Sequence, residues 1–323
     1  MSAMAFGLSG PMAAALLASG WSAGAAVTAR VLIAAAVLVV PGIRALRRPS
    51  EGPSVDHPSS GNRIEWSLLR RNVGTIVVYG TLAVAGAQLC YFYAVSRLPV
   101  GVALLVEYTA PIAVVGWMWL VHQQRPGRLT ALGAVIALCG LPLLLDLSTL
   151  WGGSGGSNKG VDLVGVAWAL AAMVGAAAYF VMSADDSTGL PPITLAASGL
   201  VVGAVVLGAA GLAGALPIEV SDSDVAFRSV TAPWWVPIAV LGVVTAAFAY
   251  VTGIVATRKL GSRLASFVAL TEVIAAIVFA WLLLGQVPLP VQLLGAAVVL
   301  VGVVVVRLGE VRPTTAEPLP PHT

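Results

Sequence analysis

Residues 98–140 read LPVGVALLVEYTAPIAVVGWMWLVHQQRPGRLTALGAVIALCG, and the same pattern occurs a second time in the chain. Displaced by 162 residues, the stretch lies without a gap on LGSRLASFVALTEVIAAIVFAWLLLGQVPLPVQLLGAAVVLVG, residues 260–302, with 15 identities in 43 positions. So Ala/Leu/Val-rich a composition gives roughly five by chance. Trp119 falls on Trp281, Pro126 on Pro288, Gly133 on Gly295 and Gly140 on Gly302. The chain is a duplication of one unit.

That unit is too apolar for water. Of 323 residues 59% are hydrophobic and 10% charged, with a mean hydropathy of +0.95, whereas a soluble domain carries about 25% charged residues. A bilayer core of about 30 Å takes roughly 20 helical residues at 1.5 Å each. Ten runs qualify: 2–20, 23–41, 73–95, 100–121, 129–147, 163–183, 192–215, 234–256, 264–284 and 289–307. Gly and Pro inside them are tolerated because neighbouring helices satisfy the freed backbone groups. The expected fold is an all-α integral membrane protein of ten transmembrane helices. The first run is apolar like a signal peptide, but no Lys or Arg precedes it, so it reads as a membrane helix. Several apolar residues precede the matching part of the sixth run, so either the first helix is short or the chain begins upstream of Met1.

Five spans per unit is an odd number, so the second unit enters the membrane inverted relative to the first. The sequence divides into a first five-helix repeat at 1–148, with a polar loop at 42–71, an external linker at 149–162, a second repeat at 163–307 and a disordered cytoplasmic tail at 308–323. Lys and Arg are retained on the cytoplasmic side. With both termini inside, cytoplasmic segments hold 13 basic residues against three outside, Arg97, Lys159 and Arg228, and Arg30 lies within the second span. A net charge of +3 with basic residues spread between apolar runs does not form a nucleic-acid surface. Inverted repeats suit alternating access, in which two bundles rock about a site near the midplane.

The stretches YFYAVSRLPVGVALLVEYTAPIAVVGWMWLVHQQRPGRLTALGAVIALCG and LASFVALTEVIAAIVFAWLLLGQVPLPVQLLGAAVVLVGVVVV, with AAVTARVLIAAAVLV in the second span, resemble the EamA-type branch of the drug/metabolite transporter superfamily over nearly the whole chain. The resemblance implies ten helices in paired five-helix repeats, a central cavity lined mainly by spans one, three, four, six, eight and nine, and export of small metabolites. Two departures stand out: Thr271-Glu272-Val273 where the family often has Glu-Pro, and Gln286 where an acidic residue commonly ends the ninth span. The first half retains Pro111.

Glu107 and Glu272 are the acids well inside spans, roughly 10–15 Å from the nearer membrane face. An acid at that depth costs about 2.5–3.5 kcal/mol on insertion scales, so it faces a cavity, binds an ion or proton, or pairs internally. Either could contact substrate, couple proton movement to transport, or make a structural hydrogen bond. Arg30 could meet an anionic substrate, pair with a Glu, or snorkel outward. Gln88, Tyr91, Tyr108, Trp168, Tyr179, Tyr250 and Thr271 could line an aromatic, hydrogen-bonding cavity for amino-acid-like or amphipathic ligands. Glycines such as Gly199 and Gly203, or Gly295 and Gly302, serve close helix packing.

Enzyme readings fail on context. Gly152 to Gly156 formally satisfy G-x-S-x-G, but a nucleophile elbow needs a strand before it and a His nearby. His57, His122 and His322 lie in loops or the tail, H-E-x-x-H is absent, and no G-x-x-x-x-G-K loop offers ATP a site. Cys90 and Cys139 lack metal or disulfide spacing and are expected as buried thiols. No cofactor or metal is expected. The sequence therefore reads as a non-enzymatic plasma-membrane transporter with a small-molecule substrate, lipid neighbours and a candidate proton coupling. The rival is a non-transporting membrane scaffold or partner subunit; a channel is disfavoured because no ring of like residues forms a filter.

Overall fold

The computed structural model of the chain describes residues 1–46, 66–110, 112, 127–144 and 162–310, without the side chains of 141, 144, 184, 261–270, 307 and 310. Helix dominates, as it must where no water is available to satisfy a free N–H or C=O. Ser2–Gly7 and Ser9–Ala18 meet at Leu8 and fill the first expected span. Ala23–Arg44 comes next, capped by Ser22, whose Oγ accepts the Ala25 N–H at 3.1 Å. Leu163–Ala184 is capped by Asp162, whose Oδ1 accepts the Gly165 N–H at 3.0 Å. That bond, and then Arg97 at 3.1 Å, holds the Asp162 carboxyl below its usual range. Pro192–Leu212 opens on Pro192, where a missing N–H costs nothing.

Ala23–Arg44, Val73–Val95, Leu163–Ser183, Pro192–Leu212 and Trp235–Leu260 are long and apolar enough to cross a membrane. Ser2–Ala18, Arg128–Gly140, Thr271–Leu284 and Pro290–Val306 are shorter apolar helices. Of the fourth expected span, Val100–Glu107 is helical. Most of the remainder of that span lies outside the described residues, as do Pro111, Trp119, Pro126 and the 149–161 stretch. The expected polar loop at 42–71 is shorter than its bounds: helix continues to Arg44 and resumes over Trp66–Arg71. The last helix runs to Glu310, into the expected tail.

No coil separates the eighth and ninth expected spans, since Ala249–Leu284 is helical throughout. Yet the run cannot be straight. Ser2 Oγ donates to Ala249 O at 2.9 Å, and a Cβ on Gly253 would lie 3.4 Å from the Phe6 ring. A Cβ on the very next residue, Gly7, would lie 2.9 Å from Glu272 O. Nineteen residues of straight helix span about 28 Å, so the chain doubles back between Gly253 and Glu272. Two antiparallel segments result.

The described chain forms two compact units, Met1–Tyr108 with Asp162–Val287, and Thr109–Val161 with Pro288–Thr323. Neither is one sequence repeat. Each takes helices from both halves of the duplication, because equivalent helices pack with their counterparts.

In the second unit Arg128–Leu144 lies antiparallel to Pro290–Glu310. A Cβ on Gly133 would stand 2.7 Å from Gly302 O, and one on Gly140 would stand 3.0 Å from Gly295 O. Under the 162-residue shift Gly133 becomes Gly295 and Gly140 becomes Gly302, so each contact is the image of the other. Two equivalent helices thus cross through paired glycines, as small-residue membrane packing allows. Cys139, expected to be buried, is exposed here, on the face turned away from Ala137 and Gly140; a thiol is apolar enough to need no protein cover. Cys90, in the first unit, is only half-buried.

The first unit fastens its helices at two ends that alternate along the chain. At one end Ser22 Oγ donates to Pro217 O (2.8 Å), Arg97 pairs with Asp162, and Val100 N–H reaches Gln286 Oε1 (3.4 Å). At the other, Thr194 Oγ1 donates to Gly42 O (2.9 Å), Asn72 Nδ2 to Thr188 O (3.0 Å) and Arg258 Nη1 to Leu190 O (2.7 Å). Up-and-down spans require this alternation. A feature with no sequence signal is a small hairpin at the first end, Val225–Ala226 paired antiparallel with Thr231–Ala232, whose Arg228 N–H binds Leu283 O at 2.7 Å.

Gly302→Leu is expected to cost about 1–3 kcal/mol by overpacking against the Ala137 backbone. Gly208→Leu, at a position with nothing within 4 Å, should cost nothing. Thermal unfolding of the two variants side by side in detergent checks this, and equal midpoints would contradict the glycine crossing.

Candidate functional site

Arg30 enters about two turns into Ala23–Arg44 and is 1% exposed, so its charge has to be met inside the protein. Nη1 donates to Gln88 Oε1, Nη2 donates to Thr245 O at 2.6 Å, and the guanidinium sits 5.6 Å from the Phe92 ring centroid. Among the described residues no carboxylate lies within ion-pair distance of it. Of the three expectations for Arg30, pairing with a Glu and snorkelling are both replaced. A neutral amide, a backbone carbonyl and an aromatic face hold it, which the sequence could not choose because none of the three carries a charge.

Thr245 can offer a carbonyl because Val240–Phe248 is wound as π-helix, whose widened turns open backbone groups to second partners. A matching π-helical stretch covers Tyr79–Gly86. There Ala83 O accepts from Tyr250 Oη at 3.2 Å. Ala83 and Thr245 are equivalent under the 162-residue shift, so each half presents the same carbonyl to the network. Gln88 and Tyr250 are equivalent as well, and Gln88 Nε2 donates to Tyr250 Oη at 3.2 Å, directly across the two halves.

From Tyr250 the cluster extends through rings. Phe6 lies 5.4 Å from Tyr250 and 6.2 Å from Tyr179, and Tyr179 lies 5.5 Å from Tyr250, all edge to face. Glu272 Oε2 accepts from the Tyr108 hydroxyl. The Tyr91 hydroxyl fills the space beside Gly10, where no Cβ would fit, and the Tyr179 hydroxyl does the same at Gly253. Glu107 and Glu272 both lie in electrostatic range of Arg30 and of Tyr91. Glu107, Tyr108, Gln88, Tyr179 and Glu272 all keep part of their surface accessible although they sit in mid-span.

Eight of the ten expected site residues therefore converge in the first unit: Arg30, Gln88, Tyr91, Glu107, Tyr108, Tyr179, Tyr250 and Glu272. Two do not. Trp168 stacks on Tyr93 at 4.9 Å, and Thr271, next to Glu272, is exposed on its helix. Phe6, Phe92 and the Thr245 carbonyl were not anticipated. A phenylalanine in an apolar run carries no mark of its own, but the repeat alignment, extended back to residue 83, would have paired Ala83 with Thr245 and Gln88 with Tyr250.

Arg30→Ala leaves Gln88 and the Thr245 carbonyl without their charged donor, which costs about 1.5–3 kcal/mol. Arg30→Lys should fall between Ala and wild type, because an ammonium cannot reproduce the two-pronged donation of a guanidinium. The order of melting midpoints, wild type above Lys above Ala, is the expected result, and an unshifted Ala variant would show that the network does not hold the fold.

Comparison with known proteins agrees with this architecture. A solved structure described only as "Crystal structure of protein" is 19% identical, with a TM-score of 0.55, over 94% of this chain and 96% of that one; the likeness is one of fold. No curated protein matches the chain. The model of the EamA-like transporter family matches residues 1–145 and again 163–308. With both halves of the duplication matched, the chain belongs to the EamA-like transporter family.

Proposed function

We propose that this protein is a secondary transporter that exports small, amino-acid-like or amphipathic metabolites across the plasma membrane by alternating access, with both termini in the cytoplasm. The reading rests on one observation above the rest: two carboxylates, an arginine and a set of tyrosines from both repeats meet in mid-span. Polar groups at that depth are costly and face either one another or a path for solute. The basic residues favour the stated orientation, since Arg44, Arg70, Arg71 and Arg258 lie at the end opposite Arg97 and Arg228.

Glu107 and Glu272 are assigned the coupling. A carboxyl that exchanges its proton between the two sides, while substrate competes for the same cluster, links a proton gradient to solute movement. In proteoliposomes, wild-type flux of an identified substrate should rise with an imposed pH gradient. Glu107→Gln with Glu272→Gln should lose that response by about tenfold, a difference worth about 1.4 kcal/mol. An unchanged response in the double variant would sink the proton assignment. Saturable counterflow separates a carrier from a channel, and its absence for every solute, with stable co-purification of a second protein, would favour the scaffold reading instead.

A further inference from the structure

We propose that the cluster takes an organic cation, an ammonium group on an aromatic or branched apolar body, in preference to an anion. This rests on the transport reading of the same site and narrows its substrate.

Arg30 is not free to receive an anion. Its side chain is 1% exposed, Nη1 and Nη2 are engaged by Gln88 and Thr245 O, the Phe92 ring lies against the guanidinium, and Nε, the one donor without a partner among the described residues, is itself buried. An incoming carboxylate or phosphate would have to displace these partners to reach it. Its charge serves the fold.

The acids stand differently. Glu107 and Glu272 retain accessible surface, and Tyr108 engages only Oε2 of Glu272 among the described residues. With every group ionised, the cluster carries two negative charges against one positive. A solute entering it meets an excess of negative charge whose counter-ion is already committed to neutral partners.

The remaining groups suit the same ligand. Phe6, Tyr179 and Tyr250 form an edge-to-face set, and the π-faces of such rings attract a cation, most strongly when water is excluded. Phe6 and Tyr179 are half-buried, so part of each remains open to a solute. The Gln88 amide and the tyrosine hydroxyls can accept from a ligand N–H. An ammonium group finds carboxylates, ring faces and acceptors here, whereas an anion finds hydroxyl donors and, among the described residues, no cation but the buried Arg30.

Three probes that share a ring and differ in charge test this on the full-length protein: phenethylamine (cation), phenylacetate (anion) and phenylalanine (zwitterion). A ligand that binds the folded state raises its melting midpoint. Phenethylamine should raise it in a saturable manner, and phenylacetate should need at least about tenfold more to do the same. Glu272→Gln and, separately, Glu107→Gln should weaken phenethylamine by about tenfold; one of the two suffices if the other does not fold. The inference is overturned if phenylacetate or phenylalanine is preferred, if no probe binds, or if both Glu variants bind phenethylamine like wild type. Counterflow distinguishes this from the transport reading. Phenethylamine binding without flux keeps the cation site and removes the carrier, while flux of phenylacetate alone keeps the carrier and removes the cation site.

Discussion

A guanidinium in the middle of a bilayer has to be met by something, and the first unit is arranged around meeting Arg30. On insertion scales such a charge costs about 2.5–3.5 kcal/mol when it is left to lipid. Among the described residues it is answered without an ion pair, by Gln88, the Thr245 carbonyl and the Phe92 ring, with Nε alone left buried and unpartnered. Gln88 and Phe92 lie on one helix, Thr245 on another and Arg30 on a third, so satisfying a single side chain fixes three helices. Gln88 is in turn fixed by Tyr250, and Tyr250 by the Ala83 carbonyl.

The repeat explains why those carbonyls are available. A π-helical stretch in an isolated helix gives up good hydrogen-bond geometry, yet Tyr79–Gly86 and Val240–Phe248 each contain one, at the same place in the duplicated unit. Each then supplies an acceptor at matching positions, Ala83 to Tyr250 and Thr245 to Arg30. The partners have diverged while the backbone device has stayed. The glycine crossing of the second unit obeys the same relation, with Gly133 against Gly302 and Gly140 against Gly295.

Much of the fold was legible because lipid leaves few choices. Length and hydropathy located the helices, the 162-residue displacement exposed the duplication, and the lone mid-span charges Arg30, Glu107 and Glu272 identified the polar centre. The partners of those charges were less legible. Hydropathy is blind to the face a side chain presents, so Trp168, stacked on Tyr93, and Thr271, exposed on its helix, looked like Tyr179 and Gln88. The reading of Arg30 left an anionic substrate, a Glu partner and snorkelling open but did not weigh neutral partners, although in low dielectric a carbonyl dipole and an amide suffice when their geometry is good. The turn between Gly253 and Glu272 shows the opposite limit: the two spans were expected, but helical geometry through the connection has no mark in a loop signalled only by Arg258, Lys259 and Arg263.

The duplication is not symmetric in its chemistry, and this bears on how such a site could work. Gln88 and Tyr250 occupy equivalent positions, so an exchange of conformations between the two halves maps their pair onto itself. The acids have no such images. Glu107 corresponds to Ala269 and Glu272 to Ala110, and the Tyr108 that donates to Glu272 corresponds to Leu270. A rocking motion that swaps the halves would therefore preserve the Gln88–Tyr250 link as a fixed point while breaking the Tyr108–Glu272 contact, which has no counterpart to replace it. On such a motion the carboxylate would lose its donor in one state and regain it in the other. That is the condition a bound cation or proton needs in order to prefer one side of the membrane, because a ligand shifts an equilibrium only by its difference in affinity between the two states.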